Sequence, residues 1–156
     1  MLQIDIPGGD SLRIEHVVLD YNGTMAVGGV IIKGVIERLR TLSDRVKIHI
    51  VTADTFGSVR DQIKEEDFEI SILRPVDQEI RKRDYVWLLG SDAAVAIGNG
   101  RNDALMLEEA ALAFGIVEAE GFNVSVLQNT DIVFTGILDA LDALIDPQRL
   151  TATLRR

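Results

Sequence analysis

Short apolar runs rich in β-branched residues alternate with segments of helical periodicity along this chain, and this alternation is its most restrictive feature. Val35, Leu39 and Leu42 recur at helical spacing after the first runs, and Ile137 and Leu141 do so near the C-terminus. Strands separated by helices of about ten residues predict parallel pairing through βαβ crossovers. We therefore predict an α/β fold, an open and mostly parallel sheet with helices on both faces. The predicted strands cover Ile14–Leu19, Val46–Val51, Phe68–Leu73, Ala93–Ile97, Leu112–Val117 and Ile132–Phe134.

The charge balance and residue types exclude several functional classes. Lysine and arginine total 16 against 25 aspartates and glutamates, a formal charge of −9, which disfavours binding to nucleic acid or anionic lipid. No apolar run approaches the roughly 20 residues of a membrane span. Cysteine is absent, which excludes disulfides, thiolate zinc sites and a cysteine nucleophile. We expect a cytoplasmic protein that binds neither nucleic acid nor membrane, with residues 1–156 forming a single domain.

Polar residues follow the predicted strands at positions that a parallel sheet brings together at one edge. The first strand ends in Asp20, which is followed by Asn22, Gly23 and Thr24. A carboxylate that leaves a buried strand into a glycine turn can attack a group held by backbone amides. Thr52 ends the second strand and offers a hydroxyl to an anion. The fourth strand runs into a polar loop that contains Gly98, Asn99, Gly100, Asn102 and Asp103.

Lys82 supplies a positive charge from the helical stretch that precedes this polar loop. Arg81 and Arg83 flank it and would replace it if the helical register were shifted. Together the candidates are a carboxylate nucleophile, a hydroxyl, an ammonium group and a loop of amides and carboxylates. These are the groups that phosphoryl transfer requires.

These residues resemble the motifs of the haloacid dehalogenase (HAD) superfamily of aspartyl-phosphate enzymes. The pattern of that superfamily is D-x-D-G-T, a strand-end Thr or Ser, a Lys, and then G-D-x-x-x-D or G-D-G-x-N-D. The matching segments here are DYNGT from Asp20, Thr52, Lys82 and GNGRND ending at Asp103. The first and last segments are most similar to the phosphorylation domain of P-type ATPases and to small soluble proteins likened to it. The resemblance implies a Rossmann-like HAD core over nearly the whole chain.

The resemblance implies a covalent mechanism that depends on Mg²⁺. Asp20 would attack phosphorus and form an aspartyl phosphate. The ion would be held by the Asp20 carboxylate, the Asn22 backbone carbonyl and the loop that contains Asn99 and Asp103. Within that loop Asp103 is the first choice for supporting the metal, directly or through water.

The resemblance also implies a phosphate-binding set. Thr52 and Lys82 would hold the phosphoryl oxygens, with help from backbone N–H groups near Gly23 and Ala53. Asn102 would hold Lys82 or a water. The supporting positions are Thr24, Gly98, Gly100 and Asn102.

Two positions depart from the pattern of ordinary HAD phosphatases, because Asn22 and Asn99 stand where those enzymes have carboxylates. Asn22 cannot exchange a proton with the leaving group or the attacking water, and general acid–base catalysis contributes about 10² to 10⁴-fold. We therefore expect a slow phosphohydrolase or phosphotransferase. Asn99 removes a charged ligand, so the Mg²⁺ site is predicted to be weak. The alternative is a regulatory or binding module that retains the phosphate pocket without turnover.

The intervals from Asp20 to Thr52 and from Thr52 to Lys82 leave no room for a cap domain, because one predicted helix and a short additional segment fill each of them. The segment MAVGGVIIKG after the first motif predicts a small β-hairpin flap with its turn at Gly28 and Gly29. A capless site would act on a phosphorylated small molecule, on a phosphate presented by a macromolecule, or under a neighbouring subunit. A homo-oligomer that closes the site is therefore one expectation.

Simpler structural roles compete with some of these interpretations. Thr52 could be the N-cap of a helix that starts near Thr55, although Asp54 or Thr55 suits that role better. His16 and His49 lie on predicted strands without a metal-ligand partner, so both are interpreted as structural. Trp87 is predicted to be a packing residue. The basic C-terminal tail, which contains Arg149, Arg155 and Arg156, could dock on an acidic neighbour or hang free.

Overall fold

The computed structural model describes residues 1–53 and 59–156, and a six-stranded parallel sheet forms its centre. The strands in this part of the chain are β1 (Leu2–Ile4), β2 (Leu12–Ile14), β3 (His16–Asp20), β4 (Ala26–Val27), β5 (Val30–Ile31), β6 (Lys47–Thr52), β7 (Glu69–Ile72), β8 (Ala94–Gly98), β9 (Leu112–Ile116) and β10 (Ile132–Phe134). The sheet order is β10-β9-β8-β3-β6-β7, with parallel pairing throughout. All six predicted strands are present, and the predicted α/β class is confirmed.

Helices cover both faces of this sheet, as the alternation in the sequence predicts. They are α1 (Val35–Ser43), α2 (Val59–Ile63), α3 (Gln78–Leu89), α4 (Ala104–Glu109), α5 (Ile137–Ile145) and α6 (Gln148–Leu154). One apolar cluster joins Leu19 of β3 to α1 and α5, and a second joins Val18 to Val86 of α3 and Met106 of α4. Strands β8 and β9 are buried along their whole length, which explains their continuous apolar sequences.

None of the helices in residues 1–53 and 59–156 combines the length and the apolar character that a membrane span needs. Asp54 and Thr55, the alternative helix caps near Thr52, lie outside the described residues.

The predicted flap is present as a short antiparallel pair of β4 and β5. Gly28 and Gly29 form its turn with φ of 58° and 77°, values that favour glycine and a type I′ hairpin. The flap and α1 are the only elements between β3 and β6. No cap domain interrupts this stretch of the core.

The structure adds two features at the chain ends that the sequence patterns did not predict. Strands β1 and β2 form a second antiparallel hairpin. The basic tail forms α6, which buries Leu150, and the Arg156 amide donates to the Pro7 carbonyl at 3.1 Å. The tail therefore packs on its own chain and does not hang free, while docking of its exposed arginines on an acidic neighbour stays a prediction.

Trp87 lies on the solvent side of α3 with 65% of its surface exposed, so the prediction that it is a packing residue is wrong. The buried residues of α3 are Lys82 and Val86. A lysine therefore occupies the inward position that an apolar residue would normally take.

His16, His49 and Tyr85 form a chain of hydrogen bonds between the sheet and α3. His16 Nδ1 lies 3.0 Å from His49 Nε2, and His49 Nδ1 lies 3.0 Å from the Tyr85 hydroxyl. His49 is only 3% exposed, and burial, with the nearby charges of His16 and Lys47, lowers its pKa from 6.5 to about 4. Both histidines thus join structural elements, in agreement with the sequence interpretation.

Stability should fall as the pH drops from 6.5 towards 4, because the unfolded chain then protonates His49 while the folded chain does not. At roughly 1.4 kcal/mol per pKa unit, this group alone lowers the free energy of unfolding by about 3 kcal/mol near the lower limit. Urea denaturation of the wild type and of His49→Asn at pH 6.5 and near pH 4 measures this loss of stability. The variant should lose less stability than the wild type, and an equal loss in both proteins contradicts the assignment.

Candidate active site

The register of the parallel strands brings the predicted strand-end residues to one edge of the sheet. Asp20 pairs with Val51, so Thr52 lies one residue beyond it on the neighbouring strand. On the other side Leu19 pairs with Ile97, which places Gly98 and the following loop beside Asp20. Asp20 is 6% exposed and Thr52 is 1% exposed. The three strand ends therefore converge on one recessed position, as expected for an open α/β sheet.

Lys82 reaches this position from α3 and is fully buried. Its Nζ lies 2.6 Å from Asp20 Oδ1 and 2.6 Å from Asp103 Oδ1. The flanking arginines face elsewhere, since Arg81 donates to the Val76 carbonyl and Arg83 to Asp84. The structure therefore brings Lys82, and not its neighbours, to the predicted nucleophile.

Asp103 holds both the lysine and the polar loop. While Oδ1 accepts from Lys82, Oδ2 accepts from the amides of Asn99 at 3.0 Å and Gly100 at 2.8 Å. A Cβ at Gly98 would lie 2.6 Å from the Asp103 carboxyl carbon, so only glycine fits there. Both carboxylate oxygens of Asp103 therefore already accept hydrogen bonds from the protein.

Among the described residues Asn102 makes no hydrogen bond to Lys82, so of the two roles expected from the sequence only the one of holding a water remains a prediction. Its Nδ2 donates to Gln78 Oε1 at 2.9 Å, which ties the loop to the first turn of α3. The contact expected of Asn102 is made by Asp103, because adjacent residues in the 3₁₀ turn Arg101–Asp103 point in different directions.

Thr24 links the first-motif turn to the last-motif loop. Its hydroxyl lies 3.2 Å from Asp20 Oδ2 and 3.2 Å from Asn99 Oδ1. Gly23 has a φ of 78°, and a Cβ there would lie 2.4 Å from Asn99 Nδ2. Both the conformation and the close approach require glycine at this position. The Gly23 amide donates to the Ala26 carbonyl at 2.8 Å, so the turn itself uses the N–H group that was predicted to bind phosphate.

The buried charges shift the titration of Asp20, the predicted nucleophile. Burial, together with the negative charge of Asp103, raises the pKa of Asp20 to about 6, although Lys82 and Thr24 oppose this rise. Burial would lower the pKa of Lys82, but the charges of Asp103 and Asp20 outweigh it and raise that pKa above its usual value. Lys82 therefore stays protonated at neutral pH. Two carboxylates against one ammonium leave a net negative charge in a buried position.

The donor atoms suit a weakly held hard cation such as Mg²⁺. Asp20 and Asn99 present oxygens to the same hydroxyl of Thr24, and the buried Oδ1 of Asn22 has no hydrogen-bond partner in the described part of the chain. Oxygen donors and a net negative charge are what Mg²⁺ prefers. Within residues 1–53 and 59–156, however, no three His, Asp or Glu side chains gather as a metal site. Amide oxygens would therefore have to complete the coordination.

Solved structures similar to this one are phosphatases of the HAD superfamily. The magnesium-, phosphate- and sugar-bound 3-deoxy-D-manno-octulosonate 8-phosphate phosphatase of Moraxella catarrhalis gives a TM-score of 0.66 at 17% identity, over 89% of this chain and 90% of that one. The cobalt-bound enzyme of Haemophilus influenzae gives 0.65 at 16% identity, over 86% of both chains. A phosphoserine phosphatase gives 0.63 at 11% identity, over 85% of this chain and 100% of that one.

Sequence comparison finds relatives of unassigned function. No model of a known protein family matches the chain. The uncharacterized protein MJ0073 of Methanocaldococcus jannaschii is 44% identical over 61 residues, which are 39% of this chain and 66% of that protein. The uncharacterized protein MJ0072 of the same organism is 51% identical over 39 residues, 25% of this chain and 89% of that protein. The chain therefore has the core fold of the haloacid dehalogenase superfamily and belongs to the same family as MJ0072.

Proposed function

We propose that this protein is a phosphohydrolase or phosphotransferase that forms a phosphoenzyme at Asp20 with the help of Mg²⁺. The observation that carries the proposal is the buried contact of 2.6 Å between Asp20 and Lys82, with Lys82 held in turn by Asp103. A carboxylate at a strand end beside a fixed ammonium group supplies a nucleophile and a charge for the phosphoryl oxygens.

In the proposed first step, a carboxylate oxygen of Asp20 attacks phosphorus, and the bond from phosphorus to the leaving oxygen breaks. The leaving group departs with the bonding electrons and takes a proton from solvent, because the Asn22 amide cannot donate one as an acid. In the second step, a water oxygen attacks phosphorus, and the bond from phosphorus to the Asp20 oxygen breaks, with its electrons returning to the carboxylate. The water gives one proton to solvent, and inorganic phosphate is released. Lys82 Nζ and the Thr52 hydroxyl would hold phosphoryl oxygens in both steps.

A bound Mg²⁺ would neutralise charge between Asp20 and the phosphoryl group. Asp20, the Asn22 carbonyl and Asn99 would hold the ion, with Asp103 supporting the loop that carries Asn99. Asp103 is better suited to this indirect role than to ligation, because both of its oxygens already accept hydrogen bonds.

The proposed substrates are phosphorylated small molecules, or phosphates on a macromolecule, whose leaving groups depart without protonation. Acyl phosphates and aryl phosphates meet that requirement better than alkyl phosphates. The similar Moraxella catarrhalis enzyme is named for a sugar phosphate. Because no cap domain is present in residues 1–53 and 59–156, a second copy of the chain that covers the site is part of the proposal. The cytoplasmic location expected from the sequence stays a prediction.

A binding module is the second candidate function, and the amides at Asn22 and Asn99 favour it. Such a module would retain the Lys82 and Thr52 pocket and bind phosphate without forming a covalent bond.

Incubation of the wild type with acetyl phosphate and Mg²⁺ separates the two candidates. Intact mass spectrometry of the acid-quenched protein should show the addition of one phosphoryl group, and borohydride trapping with peptide mapping should place it on Asp20. The adduct should be lost in hydroxylamine, as an acyl phosphate is. Thermal stabilisation by inorganic phosphate without any adduct would support the binding module instead.

A further inference from the structure

A polar contact lies in the middle of the apolar interface between α3 and the sheet, outside the site described above. His16, Val18 and Asp20 share one face of β3, and His49 and Val51 share that face of β6, since Val18 pairs with His49 and Asp20 with Val51. This is the face that α3 covers, because Val18 and Val51 pack in one cluster with Val86.

Helix α3 meets this face through residues three and four positions apart. Lys82 Nζ contacts Asp20 at 2.6 Å, Val86 packs on the strands, and the Tyr85 hydroxyl lies 3.0 Å from His49 Nδ1. Residues at this spacing lie on the same side of a helix. The helix is therefore held by apolar packing together with two polar contacts, at Lys82 and Tyr85.

The two kinds of contact constrain the helix differently. Apolar packing is non-directional, so it permits small shifts of the helix along its axis. A hydrogen bond fixes both distance and direction. The His49 ring is itself fixed, because its Nε2 lies 3.0 Å from His16 Nδ1. Tyr85 lies about 4.5 Å along the helix axis from Lys82, so a shift at Tyr85 is passed directly to Lys82.

We propose that Tyr85 and His49 are positioning residues for phosphoryl transfer: their hydrogen bond fixes α3 on the sheet and so holds Lys82 Nζ against Asp20. This inference rests on the proposed function for its catalytic consequence. Its structural part, the control of Lys82 by Tyr85 and His49, has a separate readout.

The experiment compares Tyr85→Phe, His49→Leu and the double variant with the wild type. Turnover of p-nitrophenyl phosphate with Mg²⁺ is measured at a temperature at which circular dichroism shows every variant fully folded. Each single variant should lower kcat about 10-fold, because small displacements of a catalytic group are costly. The double variant should lose no more than either single variant, because one hydrogen bond is removed in all three.

Two further variants separate positioning from general packing. His49→Asn places an amide oxygen near the position of Nδ1, so it should keep the bond to Tyr85 and restore most of the turnover. Trp87→Phe alters the exposed side of the same helix and should leave turnover unchanged. A purely structural role for Tyr85 would lower the melting temperature of Tyr85→Phe and leave the kcat of the folded protein unchanged, which would overturn the proposal.

Side-chain ¹⁵N NMR of the Lys82 ammonium group provides the readout that needs no turnover. Proton exchange at Lys82 should accelerate in Tyr85→Phe and His49→Leu and stay unchanged in Trp87→Phe. If the wild type shows no turnover, the proposed function fails, and this exchange rate still decides whether Tyr85 and His49 hold Lys82. Unchanged exchange in Tyr85→Phe and His49→Leu overturns the positioning role.

Discussion

Asp20→Asn should abolish phosphoenzyme formation and lower the turnover of p-nitrophenyl phosphate by roughly 10⁴-fold or more, the scale on which removal of a catalytic group acts. The amide nitrogen and oxygen fit the space of the carboxylate, but an amide is a poor nucleophile and cannot form the aspartyl phosphate. Acid-quenched mass spectrometry and a release assay for p-nitrophenolate measure the two effects.

The fold of Asp20→Asn should survive, which keeps the result interpretable. Lys82 retains its contact of 2.6 Å with Asp103, so no buried charge is left without a partner. The matched control is Asp10→Asn, which removes the same charge from an exposed position. Residual turnover in Asp20→Asn equal to that of the control would eliminate Asp20 as the nucleophile.

Asn22→Asp should raise the turnover of alkyl phosphates by about 10² to 10⁴-fold, the usual contribution of general acid–base catalysis. The Oδ1 atom of Asn22 is buried and has no hydrogen-bond partner among residues 1–53 and 59–156, and Asn22 follows Asp20 by two residues. A protonated carboxyl group at this position can give its proton to the departing oxygen and later accept one from water. The gain should be much smaller for acetyl phosphate, whose leaving group needs no proton.

Asn99→Asp is the matched comparison, since it also replaces a site amide with a carboxylate. This variant should reach half-maximal turnover at a lower Mg²⁺ concentration, with the ratio of alkyl to acyl phosphate turnover unchanged. Turnover of an alkyl phosphate and of an acyl phosphate is measured for both variants over a range of Mg²⁺ concentrations. If Asn22→Asp accelerates both substrate types equally, the acid–base interpretation is wrong.

The sequence predicted the central sheet because six separate runs rich in β-branched residues alternate with segments of helical periodicity. It also placed Asp20, Thr52 and Gly98 at one edge, since in a parallel sheet the strand ends determine the edge. It placed Asp103 at the metal and did not identify this residue as a partner of Lys82. Helical periodicity does not extend into a three-residue 3₁₀ turn, so the direction of each side chain depended on contacts with other elements.

The surface of α3 was unpredictable for a related reason. Its C-terminal half is apolar at consecutive positions, so periodicity identifies no inward face there. Lys82 takes a buried position because Asp20 and Asp103 satisfy it, and Trp87 is consequently left in solvent. The β1–β2 hairpin was missed because a polar residue interrupts each of its short strands, Leu2–Ile4 and Leu12–Ile14, so neither forms an apolar run.

The unpartnered Asn22 amide has a consequence for how such a protein could evolve. Asp103 joins the lysine to the polar loop, so its replacement disturbs the fold, and selection on folding alone would retain it. Asn22 Oδ1 has no comparable bond. Exchange of this amide for an acid needs a single base change and breaks no hydrogen bond of Asn22 Oδ1 within the described residues, although it buries a carboxyl group two residues from Asp20. If Asp20 forms the proposed phosphoenzyme, position 22 is where a lineage of such proteins could change the lifetime of that intermediate without losing a hydrogen bond of that oxygen.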